Sequence, residues 1–122
     1  MSPQISVGVL FAGLLPEKAV MTRLQLRAHV KFAFEKDKSL NKLMQQLHGI
    51  EAPPMDVFKV NAALLPHVDL LTAGFPCQPW SAAGKNLGEE DRRGMHVLDK
   101  ILEILNATEA SVLILESVAN FM

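Results

Sequence analysis

Short apolar runs alternate with helical stripes along the whole chain, and this order constrains the fold more than any other feature. Ile5 to Phe11 reads as a strand. A turn at Ala12 and Gly13 leads to Pro16, whose missing N–H suits the first position of a helix, and that helix is expected to run to about Arg27. Val30 to Phe34 reads as a second strand. Lys38 to Leu47 reads as a helix, stopped by Gly49 and by Pro53-Pro54. Met55 to Val60 is a weak third strand or an ordered loop, and Val68 to Thr72 a buried strand. Ala73 to Gly94 reads as one long loop. Leu98, Ile101, Leu102 and Leu105 then fall at i, i+3, i+4 and i+7, one apolar helix face, and Val112 to Leu115 closes the pattern as a buried strand. Strands separated by helices pair in parallel, so the pattern predicts a three-layer α/β domain with a mostly parallel sheet.

The 122 residues are 49% hydrophobic and 20% charged, a composition that builds one core-bearing domain and excludes a disordered chain. The formal charge of −1 is a poor electrostatic footprint for a stand-alone nucleic-acid binder. If nucleic acid is the partner, much of the phosphate grip comes from elsewhere. One cysteine permits no internal disulfide and suits a reducing, intracellular compartment. No apolar run reaches the length of a membrane span, and no secretory signal pattern opens the chain. The four histidines make no metal-ligand spacing, so no metal site is expected.

The long loop carries the chemistry. It reads Gly74-Phe75-Pro76-Cys77-Gln78-Pro79-Trp80-Ser81, followed by Gly84-Lys85, Gly88, Asp91, Arg93 and Gly94. It leaves the carboxyl end of a predicted strand, where open α/β sheets bind ligands. A lone cysteine is usually a buried small hydrophobe. Here two flanking prolines forbid a regular helix or central strand and argue for a thiol on a stiff loop.

This loop resembles the catalytic loop of DNA cytosine-5 methyltransferases, and Leu115-Glu116-Ser117-Val118-Ala119-Asn120-Phe121 resembles the family's Glu-Asn-Val segment, with Ser117 in place of its Asn. The resemblance runs along essentially all of residues 1 to 122 in the family's motif order. It implies a Rossmann-like fold dependent on S-adenosyl-L-methionine, with Cys77 as the nucleophile and Glu116 as its acid partner. The chemistry asks for these residue types. Carbon 5 of cytosine is a weak nucleophile until a thiolate adds at carbon 6, and a carboxyl group at ring nitrogen 3 takes up the density so displaced. The base must first leave the DNA helix. By resemblance Gln78, Ser81, Lys85 and Arg93 touch the DNA, whereas the rest of the Glu89 to Arg93 charge run reads as a solvated face.

The same resemblance implies a cofactor site. Phe11, Ala12 and Gly13 match the start of a Phe-x-Gly-x-Gly-Gly turn, but Leu15 and Pro16 stand where the family has glycines, which predicts a weakened grip on the cofactor. Glu35 lies 22 residues past Gly13 (35 − 13), the spacing at which an acidic residue holds ribose hydroxyls. Lys36 follows, where the family usually has a large apolar group against adenine. Asp56-Val57 resembles the segment whose Asp receives the adenine amino group, and Pro76 belongs to the same pocket by resemblance. The family's later part, including its target-recognition domain, has no counterpart in these motifs. The sheet is therefore expected to be incomplete at its C-terminal side, with Val112 to Leu115 left as an unpaired, hydrophobic edge. Three readings stay open: part of an active enzyme or one half of a split enzyme completed by a second, C-terminal methyltransferase chain; a non-catalytic remnant; and a tRNA-directed enzyme of the same chemistry.

Overall fold

A computed structural model describes residues 4–74 and 88–116, and the side chains of 96–116 within the second stretch. The elements run β1 (Ile5–Leu10), α1 (Pro16–Arg23), β2 (Ala28–Phe34), α2 (Lys38–His48), β3 (Leu70–Gly74), α3 (Gly88–Thr108) and β4 (Val112–Glu116), with 3-10 turns at Val57–Lys59 and Ala62–Leu64. All three strand pairings are parallel and the order is β2-β1-β3-β4. The sheet is therefore the predicted parallel one. From β1 the chain crosses outward to β2, then returns to place β3 on the other flank of β1. The reversal puts a crevice at the carboxyl ends of β1 and β3, the place where such sheets bind ligands.

Several boundaries differ from the sequence expectation, each for a local reason. Helix α1 stops at Arg23 rather than Arg27. Gln25 adopts φ 57°, its amide donates to the Thr22 carbonyl at 3.0 Å and the Leu26 amide to the Met21 carbonyl at 2.9 Å. This is a Schellman stop without the glycine that usually marks one. Strand β2 consequently starts two residues early, at Ala28. Helix α2 matches closely: Asp37 Oδ1 caps the Leu40 amide at 2.9 Å, and Gly49, at φ 63°, ends it. Met55 to Val60 contains the Val57–Lys59 turn and no strand. The strand expected at Val68 to Thr72 spans Leu70 to Gly74 instead, although Val68 is fully buried. Ala73 and Gly74 thus belong to β3, and Gly88 to Gly94, expected in the loop, belong to α3.

The two sheet faces carry separate cores. Val7, Val9, Ala33 and Met44 pack on the α1/α2 side, and Leu10, Leu71, Val97, Ile101 and Ile104 on the α3 side. On α3 the buried stripe is Val97, Ile101, Ile104 and Thr108, flanked by partly buried Leu98 and Leu105. Leu102 is 53% exposed, so the predicted face is rotated by part of a turn. Among the described residues β4 pairs only with β3 and forms the edge expected of an incomplete sheet, but Val112, Ile114 and Leu115 are exposed where a buried strand was expected. The opposite edge, β2, carries Lys31, a charge of the kind that protects an open edge. The exposed residues of β4 before Glu116 carry none.

Two contacts hold β1 in register and give tests. Between β1 and β2 the register slips by one residue after Val7↔Val30, so that Gly8 pairs with Phe32. A Cβ on Gly8 would overlap the Phe32 ring at Cζ, while that ring stacks on Phe34 at 5.0 Å. Gly8→Ala should therefore destabilise the domain by ~1–3 kcal/mol in urea unfolding, the usual cost of overpacking. At the other end of β1, Asp69 Oδ2 accepts from the Ser6 amide at 2.8 Å and from the Ser6 hydroxyl at 3.0 Å. These bonds, the amide first, hold the Asp69 carboxyl below the ordinary range. A lowered folded pKa gives stability that is present above the unfolded value of about 4 and lost as pH falls through the folded one. Asp69→Asn should lower Tm at pH 7, and the gap to the parent should narrow below about pH 4.

Candidate cofactor and catalytic site

The β1 turn is built from left-handed residues. Phe11, Gly13 and Leu15 have φ of 55°, 56° and 58°. The Ala12 amide donates to the Phe34 carbonyl at 2.8 Å and the Leu15 amide to the Ala12 carbonyl at 2.7 Å, which folds the chain back into α1. Leu15 thus takes a conformation suited to glycine, at a cost of roughly 1–2 kcal/mol. Its side chain is fully buried in the α1/α2-side core, so its bulk goes into packing and not into the turn. Pro16 opens α1, the position expected for it.

Glu35, at the end of β2, ties the turn to the crevice. Its Oε1 accepts from the Gly13 amide at 2.8 Å and its Oε2 from the Asp37 amide at 2.9 Å. Each oxygen keeps a further lone pair for a ligand hydroxyl. The Met55 amide donates to the Glu35 carbonyl at 3.0 Å and so docks the next loop against the strand end. In that loop Asp56 Oδ1 accepts from the Phe58 amide at 3.0 Å and starts the 3-10 turn. A cavity of about 230 Å³ results, lined by Phe11, Phe34, Glu35, Lys36, Met55, Asp56, Val57, Phe58 and Gly74. Fixed carboxylates over apolar walls fit a nucleoside: hydroxyls and an amine can donate to Glu35 and Asp56, and a flat base finds the aromatic lining.

Six sequence-predicted residues therefore meet around one crevice: Phe11, Glu35, Lys36, Asp56 and Val57 line it, and Gly13 is bonded to Glu35. Ala12 is buried just behind the turn. Glu116 lies at the carboxyl end of β4 in register with Gly74, and a Cβ placed on Gly74 would sit 3.7 Å from Glu116 Oε2. Gly74 also lines the crevice, so the carboxylate and the point where the Cys77 segment departs share one corner of the sheet. Pro76, Cys77, Gln78, Ser81 and Lys85 lie outside the described residues, as does the side chain of Arg93 on α3. Among the described residues no three His, Cys, Asp or Glu side chains form a group that could hold a metal ion, and no helix is long and apolar enough to cross a membrane.

Residues 6–122 match the family model described as C-5 cytosine-specific DNA methylase. The chain belongs to that family. Among its curated relatives, type II methyltransferase M.HhaI of Haemophilus parahaemolyticus is 37% identical over 94 residues, which is 77% of this chain and 28% of the relative. Type II methyltransferase M.NgoBI of Neisseria gonorrhoeae is 40% identical over 87 residues, 71% of this chain and 27% of the relative. The chain thus spans little more than a quarter of the length of these relatives. Two solved methyltransferases share the fold: EhMeth of Entamoeba histolytica, with TM-score 0.78 and 18% identity over 98% of this chain and 40% of that one, and Dnmt2 of S. pombe, with 0.68 and 19% over 98% and 36%. The Rossmann-like architecture expected from the sequence is therefore the one observed.

Sequence reasoning missed three features of this methylase domain. Met55, Phe58 and Phe34 line the cavity although no motif marks them. Glu17 makes a sheet contact: Thr72 Oγ1 donates to its Oε2 at 2.8 Å, and its Oε1 is buried without a partner among the described residues. Glu17 also lines an apolar groove of about 350 Å³ with Val20, Leu70, Ile114 and Glu116. Glu17 shares a helical stripe with Val20, Met21 and Leu24, at i+3, i+4 and i+7, but only the packing of α1 on β3 shows that it bonds Thr72.

Proposed function

We propose that this chain supplies the cofactor and catalytic motifs of a DNA (cytosine-5) methyltransferase. The observation that carries the reading is the register of Gly74 with Glu116 at the mouth of the nucleoside-shaped cavity. Cys77 is three residues past Gly74, a tether of at most ~11 Å, so the thiol and the carboxylate belong to one site. In that site the Cys77 thiolate forms a bond to carbon 6 of a flipped cytosine. The carbon 5–carbon 6 π pair moves to carbon 5, and density at nitrogen 3 is met by a proton from Glu116. S-adenosyl-L-methionine would supply the electrophilic methyl group and depart as the neutral thioether S-adenosylhomocysteine. Loss of the carbon 5 proton to a base then restores the carbon 5–carbon 6 double bond and expels the thiolate, and nitrogen 3 returns its proton to Glu116.

The Phe11-Ala12-Gly13 turn holds the methionine end of the cofactor, Glu35 its ribose hydroxyls and Asp56 its adenine amine, and Gln78, Ser81, Lys85 and Arg93 reach the DNA. DNA is favoured over tRNA as substrate by the type II methyltransferases among the relatives. Further polypeptide completes the domain, as a continuation or as a complementing C-terminal methyltransferase chain. The β4 edge, the apolar groove beside it and the Glu17 oxygen, each open among the described residues, are what such a partner would cover. The test is transfer of a labelled methyl group from S-adenosylmethionine to duplex DNA or to tRNA by the completed assembly. Label on cytosine carbon 5 of DNA is expected. Label on tRNA alone would reassign the substrate, and none on either would leave a non-catalytic remnant.

A further inference from the structure

We propose that Phe58 is the aromatic wall of the base pocket in this chain. The proposal deepens the cofactor reading above by naming what the adenine lies against. Three residues per turn make the 3-10 geometry decisive. Val57 and Val60, three apart, eclipse one another, and both are buried. Phe58 must then project away from that anchored face. It is 45% exposed, yet it lines the cavity together with Glu35 and Asp56.

The turn that carries the ring is fixed at both ends. Asp56 Oδ1 holds the Phe58 amide, the Glu35 carbonyl holds the Met55 amide, and Lys100 Nζ donates to the Val60 carbonyl at 2.7 Å from α3. The ring is thus presented on rigid backbone, two residues from a carboxylate suited to an amino group. On the β2 side of the cavity stands Lys36, a hydrated point charge that offers no flat surface. A purine with an exocyclic amine satisfies both features of the turn at once, its amine donating to Asp56 and its face lying on Phe58.

Stacking of a base on an aromatic side chain is lost on truncation to alanine with a penalty of ~1–3 kcal/mol, roughly a 5- to 150-fold weakening. The experiment titrates the full chain with adenosine and with S-adenosylhomocysteine to millimolar concentration, followed by NMR shift changes. Phe58→Ala should weaken both ligands by that factor while far-UV circular dichroism stays that of the parent, since the side chain is half exposed. Phe58→Trp should retain binding, and its added indole fluorescence should be quenched by adenosine above the background of Trp80. Unchanged affinity in Phe58→Ala, full affinity in Phe58→Leu, or an unquenched indole in Phe58→Trp would overturn the proposal and leave the cofactor reading standing. Absence of any shift in the unmodified chain would overturn the cofactor reading itself, and the proposal with it.

Discussion

Cys77→Ala should abolish methyl transfer by any assembly that contains this chain. The reaction has no other route to a nucleophilic carbon 5. Without a bond at carbon 6 the ring stays aromatic, and a neutral aromatic carbon does not attack a methyl sulfonium at a useful rate. Serine in the same place is a poor replacement, because a thiol forms its anion near neutral pH and a hydroxyl does not. This chain contains a single cysteine, so the variant leaves it no alternative thiol. The direct measurement uses DNA with 5-fluorocytosine at the target and the chain plus the polypeptide that completes it. Fluorine cannot depart as a proton does, so elimination stalls and the protein stays bonded to the base. Digestion should place the adduct on the peptide containing Cys77. An adduct on another chain, or residual methylation by Cys77→Ala, would remove this segment from the chemistry.

Glu116→Gln should lower the rate of methyl transfer by ~10²–10⁴-fold, the contribution typical of a positioned general acid. The amide keeps the size and the place beside Gly74 but cannot deliver a proton to nitrogen 3. Since Glu116 is exposed at the end of an edge strand, the substitution should leave Tm and cofactor affinity unchanged. That split between rate and stability identifies a catalytic loss. A fall in Tm together with a small loss of rate would assign Glu116 to structure instead.

Much of this site can be read along the chain because it is local. The Phe11-Ala12-Gly13 turn and Asp56-Val57 are contiguous stretches whose chemistry needs only neighbouring residues. The 22-residue interval between Gly13 and Glu35 is nearly as direct, since one helix separates two adjacent parallel strands, and the Glu35 carboxylate does reach the Gly13 amide. The parallel order of strands was equally legible in the alternation of apolar runs and helical stripes. Leu15 shows what residue type alone leaves open. Its type at a glycine position predicts crowding, but the backbone takes the left-handed form and the side chain leaves for the core.

What escaped the sequence depends on partners distant along the chain or on faces that periodicity cannot assign. The edge position of Val112 to Leu115 was legible from the motifs present, but the exposure of Val112, Ile114 and Leu115 was not, because an apolar run reads the same whether or not a neighbour covers it. Helix α1 ends where Gln25 turns left-handed, a choice closed by two backbone hydrogen bonds and marked by no glycine. The Glu17–Thr72 bond spans 55 residues and exists only because α1 lies across β3. Phe58 is one more apolar residue in a short run until a 3-10 turn buries its neighbours at 57 and 60 and turns its ring into the cavity. Residue types and their spacing thus determined the chemistry this chain carries and the class of sheet that carries it. The tertiary structure alone decided which carboxylates and rings meet, because burial and hydrogen bonding are settled by packing between segments and not by the order of residues within one.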